Sequence, residues 1–217
     1  MIGDWTPKDC IAVLGSARKH SESQLAASFC IGREIARRGK ALLTGATTGI
    51  PYAAALGAHI EGGTVIGISS GGSMEEHVAK YAKPVCQADV LIFTGMGPDG
   101  RSPLIMRSVK GTVFIGGELG TLGEWCSGWM CGENVLGILQ GSGGIADALP
   151  DILSKIETSW GSQVICEADS VALAAKVCDA VDQRYSFRSL SNSIVAEPDD
   201  DVRKFVGSLI ERERLNQ

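Results

Sequence analysis

Short runs of aliphatic and β-branched residues alternate with longer amphipathic segments, and this alternation constrains the fold more than any other feature. The runs cover residues 11–14, 41–44, 64–68, 90–93, 112–115 and 135–139, with a shorter one near 164–166. They are continuously apolar, which is typical of strands buried on both faces of a parallel sheet. Strands that alternate with helices join through right-handed crossovers. We therefore predict an α/β fold: a three-layer, Rossmann-like, doubly wound and mostly parallel sheet of six or seven strands.

The segments between these runs have the composition of helices. Amphipathic or alanine-rich stretches predict helices over residues 23–38, 51–60 and 170–182, and a further helix after Pro150.

The pattern changes near residue 182. Residues 183–198 are polar and predict a surface loop, and three aspartates then open a final helix over 202–214. We expect residues 1–182 to form the Rossmann-like domain. We expect residues 183–217 to form a loop and a helix packed on that same domain.

Glycine is the outlier of the composition, with 28 of 217 residues, roughly twice the usual ~7%. The glycines cluster directly after the six main strands, at positions 15, 45–49, 71–72, 95–100, 116–120 and 141–144. The carboxyl ends of parallel strands meet at one edge of the sheet, where ligands bind, and glycine lets the backbone approach a ligand closely. One such loop is explained by the ordinary preference of turns for glycine. Six loops on one edge favour a nucleotide-like ligand.

The first two of these loops supply candidate ligand contacts. Gly15 and Ser16 follow the first strand, and Gly45, Thr48 and Gly49 follow the second. A helix begins after each loop, and its free N–H groups favour an anion. Ser16 and Thr48 are equally consistent with turn formation, because their hydroxyls bond to nearby backbone groups.

Standard nucleotide-binding and hydrolase motifs are missing from the sequence. There is no G-x-x-x-x-G-K-[ST], no G-x-G-x-x-G after the first strand, and no G-x-S-x-G. His20, His59 and His77 lie far apart, and no carboxylates stand at metal-ligand spacing around them. We expect no metal and no resident cofactor.

Charge and cysteine usage narrow the partners and the compartment. The net charge is −5 and the pI is about 5.3, whereas nucleic-acid-binding modules usually carry a basic excess. No apolar run reaches the ~18–20 residues of a membrane span, and the first residues lack a signal-peptide pattern. The seven cysteines show no paired spacing, so we interpret them as reduced, mostly buried thiols. We expect a cytoplasmic protein without a membrane partner, for which nucleic acid is an unfavourable partner.

One segment, residues 100–124, concentrates the groups that can do chemistry. Arg101 and Arg107 lie six apart on a predicted short helix that leads into the fifth strand. Gly120 and Thr121 open the next helix, and Glu124 follows one turn later. Arginine binds phosphate or carboxylate groups bidentately, and a carboxylate beside it can act as a base or stabilise a sugar cation. We predict that these groups meet at the end of the fifth strand, in the sequence GRSPLIMRSVKGTVFIGGELGTLGE.

Structural roles explain some of these residues equally well. Thr121 and Glu124 have the spacing of a capping box, and Arg101 and Arg107 suit surface ion pairs. Glu118 adds a carboxylate to the glycine turn. At ~4 Å and an effective dielectric of ~20 it would repel a bound phosphate by about 4 kcal/mol, whereas an outward-facing Glu118 would have no effect.

The same segment resembles the Lonely Guy (LOG) family and the wider SLOG group. The family pattern is an arginine, a second arginine six residues later, and then P-G-G-x-G-T-x-x-E, ending 23 residues after the first arginine. Gly116 and Glu118 replace the family's proline and second glycine. The resemblance covers roughly residues 11–155, and its matching motif residues are Arg101, Arg107, Gly117, Gly120, Thr121 and Glu124.

This resemblance implies a nucleotide-binding protein that hydrolyses the N-glycosidic bond of a nucleoside 5′-monophosphate. Glu124 would stabilise the ribosyl cation or orient water, and Arg101 would assist the departing base or hold the ribose. The phosphate would be held by Gly116, Gly117, Gly120, Thr121 and Arg107.

Other members of the SLOG group support rival hypotheses. The group includes molybdenum-cofactor carrier proteins, which implies a non-catalytic carrier or sensor of a nucleotide-like anion such as a molybdopterin cofactor. A DprA-like DNA-associated module is a third hypothesis, which the acidic pI disfavours. The resemblance to the LOG and SLOG proteins, which usually form dimers, also implies a homodimer or a higher homo-oligomer. Trp125, Trp129 and Met130 are candidates either for the contact face or for the core.

Overall fold

A seven-stranded sheet in which every strand pairs in parallel lies at the centre of the fold. This computed structural model describes residues 8–156, 161–184, 204–208 and 211. The strand order is β4-β3-β2-β1-β5-β6-β7, so the predicted fold class is confirmed. The strands are β1 (Cys10–Gly15), β2 (Ala41–Thr44), β3 (Val65–Ser69), β4 (Val90–Phe93), β5 (Gly111–Ile115), β6 (Val135–Leu139) and β7 (Gln163–Glu167).

Helices cover both faces of the sheet. They are α1 (Glu22–Arg37), α2 (Ile50–Ile60), α3 (Gly97–Ser108), α4 (Leu119–Cys131), α5 (Gly144–Ser154) and α6 (Ser170–Arg184). On one face, Ile105 of α3, Trp125 of α4 and Leu149 of α5 belong to a single buried cluster with Phe114. On the other face lie α1, α2 and α6, with Val177 of α6 against the sheet. None of the described helices combines the length and apolarity needed to cross a membrane.

The close packing of α1 on α2 brings two cleft-forming loops together. Gly32 of α1 faces the backbone of Ala54, and Gly57 of α2 faces the backbone of Phe29, so closely that a Cβ on either glycine would overlap a carbonyl oxygen. Glycine at these positions therefore permits the helices to approach. The loop before each helix, which follows β1 or β2, is held beside the other as a result.

One helix begins earlier than the sequence pattern predicts. The predicted helix after Pro150 is instead α5, which starts at Gly144 and encloses the proline, so that prediction was wrong. The amide of Ala146 donates to the carbonyl of Gly116 at 2.9 Å. Such tertiary hydrogen bonds hold the first turn of α5 and offset the bond that a proline removes from a helix interior.

A π-helical turn at Glu76–Lys80 lies between β3 and β4, where the sequence analysis predicts no element. His77 in this turn is fully buried. Its Nδ1 atom lies 2.8 Å from the hydroxyl of Ser69, at the carboxyl end of β3. This contact anchors the turn to the carboxyl edge of the sheet. Turns of this kind are rare and often occur at functional sites.

The chain divides into two compact units, residues 8–182 and a unit formed by residues 1–7 with 183–217. All seven strands belong to the first unit. In the second unit, residues 204–208 and 211 are helical, in agreement with the predicted helix over 202–214. The rest of that helix and most of the predicted loop over 183–198 lie outside the described residues. The packing of this unit on the Rossmann-like domain stays a prediction.

All seven cysteines are free, but they are less buried than predicted. Only Cys178 is buried, whereas Cys86, Cys126 and Cys166 are exposed. The prediction of mostly buried thiols was therefore wrong. Cys166 is exposed because it lies on β7, an edge strand of the sheet.

Candidate functional site

The candidate site lies at the carboxyl ends of β1 and β5, the neighbouring strands at which the strand order reverses. In open α/β sheets this switch point is the usual position of a ligand crevice. Here it forms a cavity of about 240 Å³, which we call the cleft. Its lining residues are Leu14, Gly15, Ser16, Ala17, Arg18, Gly45, Thr47, Pro51, Lys83, Arg101, Glu118, Gly120, Thr121 and Glu124.

A second hollow of about 390 Å³ adjoins the cleft between two helices. We call it the α3/α4 groove. Arg101, Gly120 and Glu124 line both the cleft and the groove, so these residues stand at the junction of the two. The other residues of the groove are Pro98, Asp99, Ser102, Pro103, Leu119, Gly123 and Ser127.

Arg101 reaches this junction from the first half of α3, and it is only 9% exposed. One terminal nitrogen of its guanidinium donates to the carbonyl of Gly45. Its Nε atom is buried and has no hydrogen-bond partner within the described residues. A Cβ at Gly45 would lie 2.9 Å from the guanidinium carbon, so glycine at position 45 makes room for the arginine. Gly45 therefore shapes the cleft through Arg101.

Glu124 lies opposite on α4 and is 8% exposed. Burial raises the pKa of Glu124 from 4.5 to about 7, and the positive charge of Arg101 acts in the opposite direction. No direct ion pair joins these two described side chains. A buried carboxyl group with a pKa near neutrality can give or take a proton at physiological pH.

The capping-box explanation of Thr121 and Glu124 is wrong. The N-cap of α4 is Glu118, whose side chain makes no cap hydrogen bond. Thr121 and Glu124 are thus the third and sixth residues of the helix, whereas a capping box would need Thr121 at the N-cap and Glu124 at the third position. The first N–H groups of α4 have no partner within the helix, and those of Gly120 and Thr121 lie beside the cleft.

The glycine turn before α4 supports the cleft from behind. Gly116 and Gly117 have φ angles of +55° and +91°, and a Cβ at Gly117 would collide with the side chain of Thr121. The amide of Gly116 donates to the hydroxyl of Ser142 at 2.9 Å. These glycines do not line the cleft, and their carbonyl groups hold the start of α5. The structure therefore gives them an architectural position beside the predicted phosphate site.

Glu118 lines the cleft but does not close it. Its carboxylate lies 2.9 Å from the Nζ atom of Lys19, and both side chains are more than half exposed. The pair bridges the loop after β1 and the loop after β5. Because Lys19 opposes its charge at the rim, Glu118 repels an anion in the cleft less than a lone carboxylate would.

The loops after β1 and β2 contribute unequally. Gly15 and Ser16 line the cleft, and the Ser16 hydroxyl accepts from the amide of Lys19 at 2.9 Å. Thr48 and Gly49 stay outside it. Thr48 donates to the carbonyl of Ala17 at 2.9 Å, and Gly49, with φ of +72°, lies against the same loop. Thr48 and Gly49 therefore join the two loops.

The structure does not bring Arg107 to the cleft. Arg107 is exposed on the last turn of α3 and lines a separate hollow with Lys110 and Asn134. Six residues along a helix correspond to a rotation of about 240° and a rise of about 9 Å, which separates Arg107 from Arg101. We leave Arg107 out of the site for this reason.

The glycine loop after β6 is also occupied by the protein itself. The amides of Gly141 and Gly143 both donate to the carboxylate of Asp147, at 2.8 Å each. This carboxylate takes the position that an anionic ligand would need. Only some of the six glycine loops are thus available to a ligand.

Three polar residues of the cleft escaped the sequence analysis, namely Arg18, Thr47 and Lys83, as did the apolar Leu14, Ala17 and Pro51. Thr47 is the neighbour of the predicted Thr48, and Arg18 lies two residues beyond Ser16. Lys83 carried no recognisable motif, and only its place between β3 and β4 points to the ligand-binding edge. No group of three or more His, Cys, Asp or Glu residues suited to a metal ion occurs in the described parts of the chain.

The aromatic residues of α4 divide between core and surface. Trp125 is 2% exposed and packs edge-on against Phe114 at 5.3 Å. Trp129 stacks on Trp125, and Met130 is 70% exposed. Trp125 therefore belongs to the core and is no part of a contact face.

The chain is similar in sequence to one known protein and in structure to several solved proteins of the same fold. An uncharacterized protein from Archaeoglobus fulgidus is 31% identical over 116 residues, which are 52% of this chain and 69% of that protein. The molybdenum cofactor carrier protein MCP from Chlamydomonas reinhardtii is similar with a TM-score of 0.59 at 27% identity, covering 83% of this chain and 99% of that one. The molybdenum cofactor binding protein from Rippkaea orientalis has a TM-score of 0.65 at 23% identity, covering 82% and 99%.

The match to a family model is more extensive than the match to the Archaeoglobus protein. Residues 8–173 match the model of the SLOG cluster4 family. This range carries all seven strands and every residue that lines the cleft. The predicted relationship is therefore confirmed, and the chain belongs to the SLOG cluster4 family.

Proposed function

We propose that the protein binds a phosphorylated, nucleotide-like ligand across the cleft and the α3/α4 groove, and that it hydrolyses the N-glycosidic bond of a nucleoside 5′-monophosphate. One observation carries the proposal. Arg101 and Glu124 are both buried at the junction of the two hollows, and neither satisfies the other through a direct ion pair. Buried charges without full partners are costly, and a ligand at the junction would supply the missing contacts.

The proposal gives each part of such a ligand a place in the site. The phosphate lies in the cleft, where the first N–H groups of α4 at Gly120 and Thr121 favour an anion. The base lies in the α3/α4 groove, and the ribose lies between them at Arg101 and Glu124. This arrangement places the bond to be cleaved beside the carboxyl group whose pKa is about 7.

The proposed reaction breaks the bond between C1′ of the ribose and the base nitrogen. The electron pair of that bond leaves with the base, and water forms the new bond to C1′. The ionised Glu124 stabilises the ribosyl cation and takes a proton from the water, and this proton then passes to the departing base, which leaves as the neutral molecule. Arg101 holds the ribose or assists the departing base.

A non-catalytic carrier is the second candidate, and the likeness to the Chlamydomonas carrier favours it. The same cleft would then hold the phosphate of a pterin-type anion, and the groove would hold its rings. Glu124 and Arg101 would serve binding alone.

Release of free base is the test that separates these two functions. We would incubate the purified protein with AMP, GMP, CMP and UMP and separate the products by liquid chromatography. Hydrolysis of at least one monophosphate is expected, and Glu124→Gln should slow it at least about a hundredfold, since acid–base groups typically contribute 10²–10⁴-fold. Glu133→Gln is the matched control, because Glu133 is exposed and lies outside the cleft.

The possible outcomes separate the two candidates. Undiminished release by Glu124→Gln would contradict the role of this residue. Absence of release, together with an anionic ligand that co-purifies in native mass spectrometry, would favour the carrier. If the protein neither releases base nor binds any phosphorylated compound, both candidate functions are overturned.

The remaining expectations on partners need tests of their own. The most basic stretch of the chain, on and after α1, is engaged in ion pairs: Arg33 and Arg37 contact Glu61, and Lys40 contacts Asp182. These pairs support the prediction that nucleic acid is an unfavourable partner. A homo-oligomer and a cytoplasmic location stay predictions.

A further inference from the structure

Lys83 enters the cleft from a segment that the proposed reaction does not use. It follows the π-helical turn and precedes β4. Its ammonium group is half-buried and donates a hydrogen bond to the hydroxyl of Thr47, which is 6% exposed. Both residues line the cleft. The contact joins the loop after β2 to the segment after β3.

The backbone on both sides of this contact adopts a rare conformation. Ala46 and Ala82 each have a φ angle of +48°, and they are the only non-glycine residues with positive φ in the described parts of the chain. Each immediately precedes one partner of the bond between Thr47 and Lys83. Positive φ is unfavourable for alanine, and such residues are retained where the surrounding structure holds them, often at ligand sites.

The buried His77 holds the segment that presents Lys83. The amide of Lys83 donates to the carbonyl of His77 at 3.1 Å. The Nε2 atom of His77 lies 3.0 Å from the carbonyl of Pro84, and because a carbonyl only accepts, Nε2 is the donor. Lys83 is therefore held by the backbone of His77, and the next residue, Pro84, is held by its fully buried imidazole.

Positively charged side chains outnumber negatively charged ones in the cleft. Arg18, Lys83 and Arg101 all line it, and none of the three forms an ion pair with a carboxylate among the described residues. Of the two carboxylates, Glu118 is paired with Lys19, which leaves Glu124. Burial lowers the pKa of Lys83, and the charges of Arg101 and Arg18 lower it further. The cations therefore oppose one another, and Arg101 also carries an unpartnered, buried Nε atom.

We propose that Lys83, positioned by Thr47 and assisted by Arg18, binds the phosphate monoester of the ligand from the wall of the cleft opposite the start of α4. A dianion at this position contacts an ammonium group on one side and helix N–H groups on the other. The inference rests on the proposed phosphate position in the cleft. Nucleoside monophosphates and phosphorylated pterins share this chemistry.

Binding by calorimetry of matched compounds tests the proposal. The probes are inorganic phosphate, AMP, adenosine and neopterin monophosphate. Lys83→Met should weaken the binding of phosphorylated probes at least about tenfold and leave adenosine unchanged, because only the phosphate contacts Lys83. Lys83→Arg keeps the charge and should retain affinity within a few fold. Thr47→Val should produce a smaller loss than Lys83→Met.

Lys80→Met is the matched control, because Lys80 lies in the adjoining π-helical turn but is exposed and paired with Glu76 at 3.3 Å. Its affinities should equal those of the wild type. If the wild type binds AMP or neopterin monophosphate and Lys83→Met binds it equally well, the role of Lys83 is overturned while the proposed site stands. If the wild type binds no phosphorylated probe, the site itself is overturned. Preference between AMP and neopterin monophosphate identifies the source of the phosphate.

Discussion

At the scale of single residues, the site depends on groups whose burial costs stability. Arg101 and Glu124 are nine-tenths buried without a direct ion pair, and the Nε atom of Arg101 has no partner among the described residues. Incompletely paired buried charges destabilise a fold. Retaining them at the junction of two hollows is the pattern expected of a functional site, where perturbed pKa values cluster.

Glu124→Gln should therefore change stability in a pH-dependent way. The folded state raises the pKa of Glu124 from 4.5 to about 7, so the wild type loses stability as the pH rises from about 4.5 through 7, while the unfolded chain ionises freely. The variant lacks this loss. Its free energy of unfolding relative to the wild type should rise by up to about 3 kcal/mol between pH 4 and pH 8.

Urea unfolding at several pH values measures this difference. Glu133→Gln, which changes an exposed carboxylate, is the control and should show almost no such trend. Parallel pH profiles for the wild type and Glu124→Gln would contradict the raised pKa.

At the scale of the elements, α4 contains glycines that lower its helix stability and keep the α3/α4 groove open. Gly120 and Gly123 stand in its first turns and line the α3/α4 groove. A Cβ at either position would meet no atom within 4 Å. Alanine would thus fit both places and favour the helix, which suggests that the open volume of the groove is what the glycines preserve.

Gly123→Ala should stabilise the protein and weaken ligand binding together. Glycine in a helix interior costs roughly 0.5–1 kcal/mol relative to alanine, and the new methyl group would narrow the groove in which the base lies. Thermal or urea unfolding and AMP titration measure the two effects. Gly132→Ala is the contrasting variant: Gly132 ends α4 with φ of +70°, so alanine there should destabilise by about 1 kcal/mol. Unchanged AMP affinity in Gly123→Ala would place the base elsewhere.

At the scale of the whole molecule, strand order decides which loops share the cleft. The chain leaves β1 towards β2 and later returns to place β5 on the other side of β1. The loops after β1, β2 and β5 therefore meet, and α3 and the segment before β4 add Arg101 and Lys83. Residues from position 14 to position 124 contribute to one cavity.

A chain truncated after Arg184 should retain the fold and the cleft. The unit of residues 8–182 contains every strand and every cleft residue. We expect cooperative unfolding and an AMP affinity within about threefold of the full-length protein. A lower Tm with binding retained would support the predicted packing of residues 183–217 on the domain. Loss of cooperative unfolding would contradict the independence of the first unit.

The amino-acid sequence by itself determined the strands, and it predicted that Arg101 and Glu124 meet at the candidate site. Continuous aliphatic runs are stable only when they are buried on both faces of a sheet. Their positions in the sequence therefore predicted β1 to β6, with errors of one residue at some ends. The spacing of Arg101 and Glu124 indicated that the two residues lie close together. β5 stands between them in the chain, and the helices before and after it, α3 and α4, both begin at the carboxyl edge of the sheet. Ligands bind beyond the carboxyl ends of parallel strands, and the same reasoning predicted five further residues that line the cleft: Gly15, Ser16, Gly45, Gly120 and Thr121.

The tertiary structure alone decided which other residues share the cleft. Lys83 and Thr47 are brought together by parallel pairing of β2 with β3, a contact that no local pattern reports. Arg107 was excluded by the rotation of α3, and the glycine loop after β6 by Asp147. Local propensity and spacing act over a few residues, whereas the composition of a cavity depends on contacts between segments far apart in the chain.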